Sequence, residues 1–382
     1  MKTKWVLAAV LGIFVPAVAG LLLLGEPAHA QTLQEAIQMA IDETKIDPQA
    51  PSGFMGIPGA PRIGFLVAFL WAVWVGWIFS SVGAFGGIMA GVGHMTVFGL
   101  GEYARDFGKG HPLNKIVTDT IRVSNQWLVG LSAFISSVNY YRMGRLVLPL
   151  GICLAIGSIL GSYLIPTLTA GKISLRDYQG YFGLIVFLIG GFLFYETTPR
   201  GQMRKKEARA AAQAFEKSVR NKTKESVELK GVEVLEWGLG KIRFTFYGVE
   251  FSFRPIVPVI GGFIIAALAA FLGVGGGFLF VPFLTSIAGL PMFLVAGTSA
   301  LTVLIGMLIS IISYMALQNV PVDWALIGVE LIGIFVGSMI GPRTSKYIPD
   351  IWLKRIFVLL SLYVGIRYTT LGFLGKSWLP PY

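Results

Sequence analysis

The sequence predicts an all-α polytopic membrane protein of two homologous, inverted helical repeats, with glycine-broken helices and a small helix-plus-hairpin insert. Three observations carry that expectation. Charged residues are only 13% of the 382-residue chain and hydrophobic residues 54%, whereas a soluble domain carries roughly 25% charged residues. Apolar stretches of spanning length recur along the chain, and mean hydropathy is +0.71. Two of these stretches are interrupted by glycine runs at corresponding places. A charge at mid-bilayer costs about 2.5–3.5 kcal/mol on insertion scales, so a lipid-facing helix excludes it. The 48 glycines would weaken soluble helices but let helix backbones approach closely in lipid.

The chain starts with Lys2 and Lys4, an apolar run from Trp5 to Leu24, and Ala28-His29-Ala30. A basic start, an apolar stretch and an A-x-A site form a secretory signal over residues 1–30. The run is long for a signal, so an uncleaved anchor is the alternative. Both readings put residues 31–62 on the periplasmic side. There Glu35, Asp42, Glu43 and Asp47 outnumber Lys45, and Leu33, Ala36, Ile37, Met39, Ala40 and Ile41 recur at helical spacing. A short amphipathic helix resting on the bundle is expected.

A spanning helix needs about 20 apolar residues. Apolar segments fall at 63–81, 84–100, 123–141, 146–166 and 178–195, the first repeat (63–196), and at 256–272, 274–290, 293–316, 322–341 and 352–373, the second (256–375). Gly83, Gly86 and Gly87 match Gly273, Gly276 and Gly277. Val123-Ser124-Asn125-Gln126 sits where Ala296-Gly297-Thr298-Ser299 sits, Tyr141 matches Tyr314, and Gly157-x-x-x-Gly161 matches Gly333-x-x-x-Gly337. These matched features in one order make an internal repeat. Glycine-interrupted spans at matching places in two halves mark the binding site of many secondary transporters. A broken helix leaves amide N–H groups without intrahelical partners, and the partial positive charge of a helix N-terminus favours an anion.

The net charge of +11 is concentrated at 197–255, where Arg200, Arg204, Lys205, Lys206, Arg209, Lys217, Arg220, Lys222, Lys224 and Lys230 lie. The positive-inside rule makes this insert cytoplasmic, with anionic lipid headgroups rather than nucleic acid as its partner. Residues 203–220 have helix-forming composition. Residues 241–246 and 249–253 alternate around Tyr247-Gly248, a hairpin pattern. Starting outside, the inverted scheme places Arg142, Arg145, Arg343, Lys346, Lys354 and Arg355 inside and Gln318-Asn319 outside. Its one conflict is the 101–122 loop, which carries Arg105, Lys109, Lys115 and Arg122 and falls outside.

The run Gly273-Val274-Gly275-Gly276-Gly277 through Leu284, then Val295-Ala296-Gly297-Thr298-Ser299-Ala300-Leu301, resembles the sulfite exporter TauE/SafE family. The resemblance covers 63–195 and 256–373. The first half departs from the pattern: Phe85 replaces a glycine, His94 falls near the expected proline, and Asn125-Gln126 replaces Thr-Ser. The resemblance implies an exporter of sulfite or organosulfonates such as sulfoacetate across the bacterial inner membrane.

The expected anion shell is Gly86, Gly87, Gly275, Gly276 and Gly277, through backbone amides, with Asn125, Gln126, Thr298 and Ser299 as uncharged donors. Close helix packing accounts equally for the glycines, and backbone capping for the hydroxyls. Glu330 is the carboxylate well inside an apolar segment, where an acid points to function. It and His94 are candidates for coupling, and Arg142 for anion attraction or snorkelling. His111 reads as a solvated loop residue. Three histidines and the single Cys153 make no zinc cluster. No hydrolase or Walker motif appears, so neither an enzyme nor a cofactor is expected. A passive anion channel and a non-transporting subunit that docks a sulfur-metabolism partner are the competing readings. The sequence leaves the oligomeric state open, a homo-oligomer included.

Overall fold

The computed structural model describes residues 27–82, 86–108, 110–169, 175–200, 206–221, 231–272, 277–317 and 319–380. The expected signal peptide or anchor, residues 1–30, lies outside the described residues up to residue 26, and residues 27–30 open α1. Helix α1 (Pro27–Asp42) precedes α2 (Phe65–Val82) and the short α3 (Gly86–Val92), which runs on as a π turn over Gly93–Val97. Then come α4 (Leu100–Asp106), α5 (Pro112–Arg142), α6 (Leu148–Thr169) and α7 (Leu175–Thr197). The insert holds α8 (Lys206–Asn221), β1 (Glu233–Trp237), β2 (Ile242–Phe246) and β3 (Val249–Phe253). The chain then continues through α9 (Ile256–Leu272), α10 (Gly277–Pro282) with a π turn over Phe283–Ile287, α11 (Met292–Ile312), α12 (Trp324–Ser345) and α13 (Asp350–Leu374). Among the described residues, α2, α12, α13 and the stretch Met292–Ala316 are each long and apolar enough to cross a membrane. The chain is a helical membrane protein.

The bundle is held together by exchange of leading helices. α2 packs along α12, and α9 along α6. Both contacts depend on missing side chains. A Cβ at Gly333 would stand 2.5 Å from the Phe69 carbonyl, and one at Gly337 would overlap that of Val73. Similarly, a Cβ at Gly157 would overlap the Val259 carbonyl, and one at Gly161 would stand 2.6 Å from that of Phe263. α5 lies against α11, and α7 against α13. The π turns after α3 and α10 close with matching bonds, Phe98 N–H to the Gly93 carbonyl at 2.9 Å and Ala288 N–H to the Phe283 carbonyl at 3.0 Å; a third π turn, Ser313–Leu317, ends α11. A left-handed glycine follows each of the first two turns, Gly99 at φ 72° and Gly289 at φ 68°. Large side chains face outward on the lipid side, among them Leu66, Leu70, Leu188, Ile332 and Phe335.

The 101–122 segment is not an open loop. It contains α4 and the first turns of α5, a 31-residue helix about 46 Å long at 1.5 Å per residue. His111 is buried rather than solvated. Its Nδ1 accepts from the Leu113 N–H at 3.1 Å, capping α5. α1 covers this end of the bundle: Ala36 and Ala40 pack with Phe98, Leu100, Phe107, Leu113 and Val117. Met39, expected on the packed face, is 45% exposed. The insert meets the opposite end of α5. The Phe215 ring of α8 lies tilted against that of Phe293, 4.5 Å between centroids, and the Val232 N–H donates to the Gly144 carbonyl at 2.7 Å. The expected hairpin is β2–β3, from Ile242↔Phe253 to Phe246↔Val249. A third strand, β1, pairs antiparallel with β2.

Candidate functional site

The sequence candidates separate into a buried polar cluster and residues occupied elsewhere. The π turn after α3 turns His94 inward, fully buried. A π turn adds a residue to the helical turn and re-aims the side chains around it, and such turns are frequent at functional sites. Room is made by Gly93, where a Cβ would overlap the Trp71 indole. That indole N–H donates to the Met89 carbonyl at 3.1 Å. Asn125, near the middle of α5, presents Oδ1 at 2.7 Å from His94 Nδ1. Glu330, in the second turn of α12, presents Oε2 at 3.1 Å from His94 Nε2. Both side chains are 1% exposed. The His94 ring also meets Phe98 edge-on at 5.4 Å. One histidine therefore ties the first-half turn to a first-half helix and a second-half helix.

Two polar atoms in this region are left over. Glu330 Oε1 and Gln126 Oε1 are buried and have no hydrogen-bond partner among the described residues. An unpaired buried acceptor costs roughly 1–3 kcal/mol, so each oxygen is able to accept a hydrogen bond.

Thr298 and Ser299 are fully buried but engaged with the chain. Thr298 Oγ1 accepts from the Val147 N–H at 3.1 Å, at the start of α6, and Ser299 Oγ donates to the Ala296 carbonyl at 3.3 Å. Gly86 and Gly87 are buried at the start of α3, and a Cβ on Gly86 would overlap Phe79 of α2. Gly277 opens α10. Gly275 and Gly276 lie outside the described residues. Arg142 is exposed at the end of α5, apart from the cluster.

A cation that sequence reasoning placed by topology alone, Arg145, is 2% exposed. It donates to the Phe293 carbonyl at 3.3 Å and the Pro342 carbonyl at 3.4 Å, and packs on the rings of Tyr140, Phe215 and Phe293. Burial holds its guanidinium below the usual arginine range. Its role here is to close the ends of α11 and α12 against the insert. Only the flanking aromatics hinted at this, and one of them, Phe215, comes from the insert. Among the described residues no three His, Cys, Asp or Glu side chains gather as a metal site.

Comparison with known proteins adds a family and a relative. Residues 68–368 match the family model described as "Sulfite exporter TauE/SafE". A probable membrane transporter protein of Methanocaldococcus jannaschii is 33% identical over 117 residues, 28% of this chain and 43% of the relative. The match thus spans less than half of that relative's length. No solved structure matches.

Proposed function

The chain belongs to the sulfite exporter TauE/SafE family, a family of membrane transporters rather than enzymes, and from that premise we propose a secondary transporter that exports sulfite or a related small sulfur oxyanion or organosulfonate across the bacterial inner membrane. The relative from Methanocaldococcus jannaschii, itself a probable membrane transporter, fits this reading. The observation that carries it is a pair of matched turns: α3 and α10 each lead into a π turn and then a left-handed glycine, Gly99 and Gly289.

These matched turns and the exchanged packing support two related halves. The ends of the bundle support their inversion. α1 lies at the start of α5 and the insert at its end, as expected if residues 31–62 face the periplasm and residues 197–255 the cytoplasm. The basic residues of 101–122 then lie outside. Charge there is partly compensated: Arg122 pairs with Asp119 at 3.4 Å, and Glu43 lies 3.8 Å from His111.

An alternating-access mechanism follows from this architecture. The anion binds between the halves at the amides of Gly86, Gly87 and Gly275 to Gly277. Gln126 supplies the N–H donors of its side-chain amide. The test is flux of sulfite and of sulfonates in reconstituted vesicles. Saturable flux is expected, and it should be abolished by Gly277→Leu in protein that still purifies as a folded, monodisperse species. Flux that rises linearly with concentration, or survives the substitution, would count for a channel or against the glycine site.

A further inference from the structure

His94 faces two acceptors through Nδ1. Besides Asn125 Oδ1, the Ala90 carbonyl lies 3.3 Å away, and a carbonyl only accepts. Nδ1 therefore carries a hydrogen. The other ring nitrogen meets Glu330 Oε2, and two bare acceptors at 3.1 Å would repel. A proton therefore lies between Nε2 and Oε2, whichever atom holds it. The pair is neutral with this one proton, the form that burial favours. A second proton has one place to go, Glu330 Oε1, which is buried and has no partner among the described residues.

Few charged side chains surround the turn, and one buried cation, Arg367, reaches it. Among the helices packed around the turn, α2 and α3 have no titratable side chain. α4 carries Glu102, Tyr103, Arg105 and Asp106, of which Glu102, Arg105 and Asp106 are exposed. On α5, Asp119 and Arg122 pair with each other. On α13, Arg367 reaches Thr96 at 3.5 Å, beside Tyr368. Glu330 of α12 is the carboxylate within hydrogen-bond reach of His94.

The pair is also confined to one half. In the register aligning Gly83 with Gly273, His94 corresponds to Leu284. In the register aligning Gly157 with Gly333, Glu330 corresponds to Leu154. Both leucines are fully buried. The fold thus accepts an apolar pair at this position, and the acid and base are an addition to it.

We propose that the His94–Asn125–Glu330 cluster is the proton-binding site of the transporter, taking up one proton from water with each anion and returning it to water on the opposite face. This rests on the transport reading above. A bound anion nearby favours the doubly protonated, positive pair, so anion and proton bind together. One O–H bond forms at Glu330 Oε1 on loading and breaks on release. The Nδ1 hydrogen stays throughout.

The experiment uses vesicles enclosing a pH-sensitive dye and a gradient of methanesulfonate, which does not titrate near neutrality. The wild type should move one proton per anion, a ratio falling toward zero in Glu330→Gln and His94→Gln. Anion flux without protons in the wild type, or an unchanged ratio in both variants, overturns the proton site and leaves the transporter standing. If neither sulfite nor methanesulfonate moves, the transport reading fails instead. The site is then judged, as it is for any variant without flux, by infrared titration of the solubilised protein. A titrating carboxyl band in the wild type that is absent from Glu330→Gln sustains it. A wild type without such a band overturns it.

Discussion

Glu330 and His94 are each tolerable inside a membrane helix because the other is present. Removing one partner of a buried pair typically costs about 3–5 kcal/mol, whereas replacing both with apolar groups is often neutral or better. Glu330→Leu should therefore lower thermal stability in detergent sharply, and His94→Leu/Glu330→Leu should recover most of the loss, as Leu284 and Leu154 foreshadow. A double variant no better than the single would show that the two groups are not coupled. The sequence marked His94, Asn125 and Glu330 individually, as polar groups in apolar runs. It could not show that they meet, since His94 and Glu330 are 236 positions apart and their approach depends on a π turn with no composition of its own. Arg145 was less legible still. It reads as one more loop cation, and its burial is created by rings from α8 and α11.

At the scale of elements, glycines at two kinds of position should respond differently. Gly337→Leu drives a side chain into the α2 backbone. Overpacking alone costs about 1–3 kcal/mol, and here the obstacle is a carbonyl that cannot rotate away. Gly191 of α7 has nothing within 4 Å of an added Cβ, so Gly191→Ala should be neutral or stabilising by up to about 1 kcal/mol. Thermal unfolding of the two variants side by side checks this. The insert offers a third case. Phe215→Ala empties the space between Arg145 and Phe293, a loss of about 3–5 kcal/mol for a buried Phe. It should make the insert selectively sensitive to protease while the membrane helices stay protected; uniform sensitivity would mean that the insert is not separately docked. Hydropathy located most of these helices to within a few residues. It missed the first turns of α5, where Lys115, Asp119 and Arg122 break the apolar pattern, and it missed β1, whose five residues are all exposed and so show no alternation.

For the whole molecule, the placement of the ends makes a topological prediction. Leu239, 99% exposed in the insert, is replaced by Cys in a Cys153→Ser background. A membrane-impermeant thiol reagent should label it only after the inner membrane is opened, and Gln49→Cys, in the α1-side segment, without that step. Labelling of Leu239→Cys in sealed cells would reverse the orientation. The Gly157-x-x-x-Gly161 and Gly333-x-x-x-Gly337 pairs were legible as spacings, and each of these glycines stands against a backbone carbonyl. The exchange of leading helices was not, since matching sequences do not say which half covers which. That exchange bears on how the protein is made. Helix α2 emerges from the ribosome long before α12 exists to cover Ala72, Gly76 and Ser80, so this strip must linger in lipid, unaccompanied, through most of translation. It is suited to the delay: it bears no charge, and the Ser80 hydroxyl already donates to the Gly76 carbonyl of its own helix at 2.7 Å. Neither half can mature while the other is unfinished, and a chain cut within the insert should yield two fragments that become stable only when synthesised together.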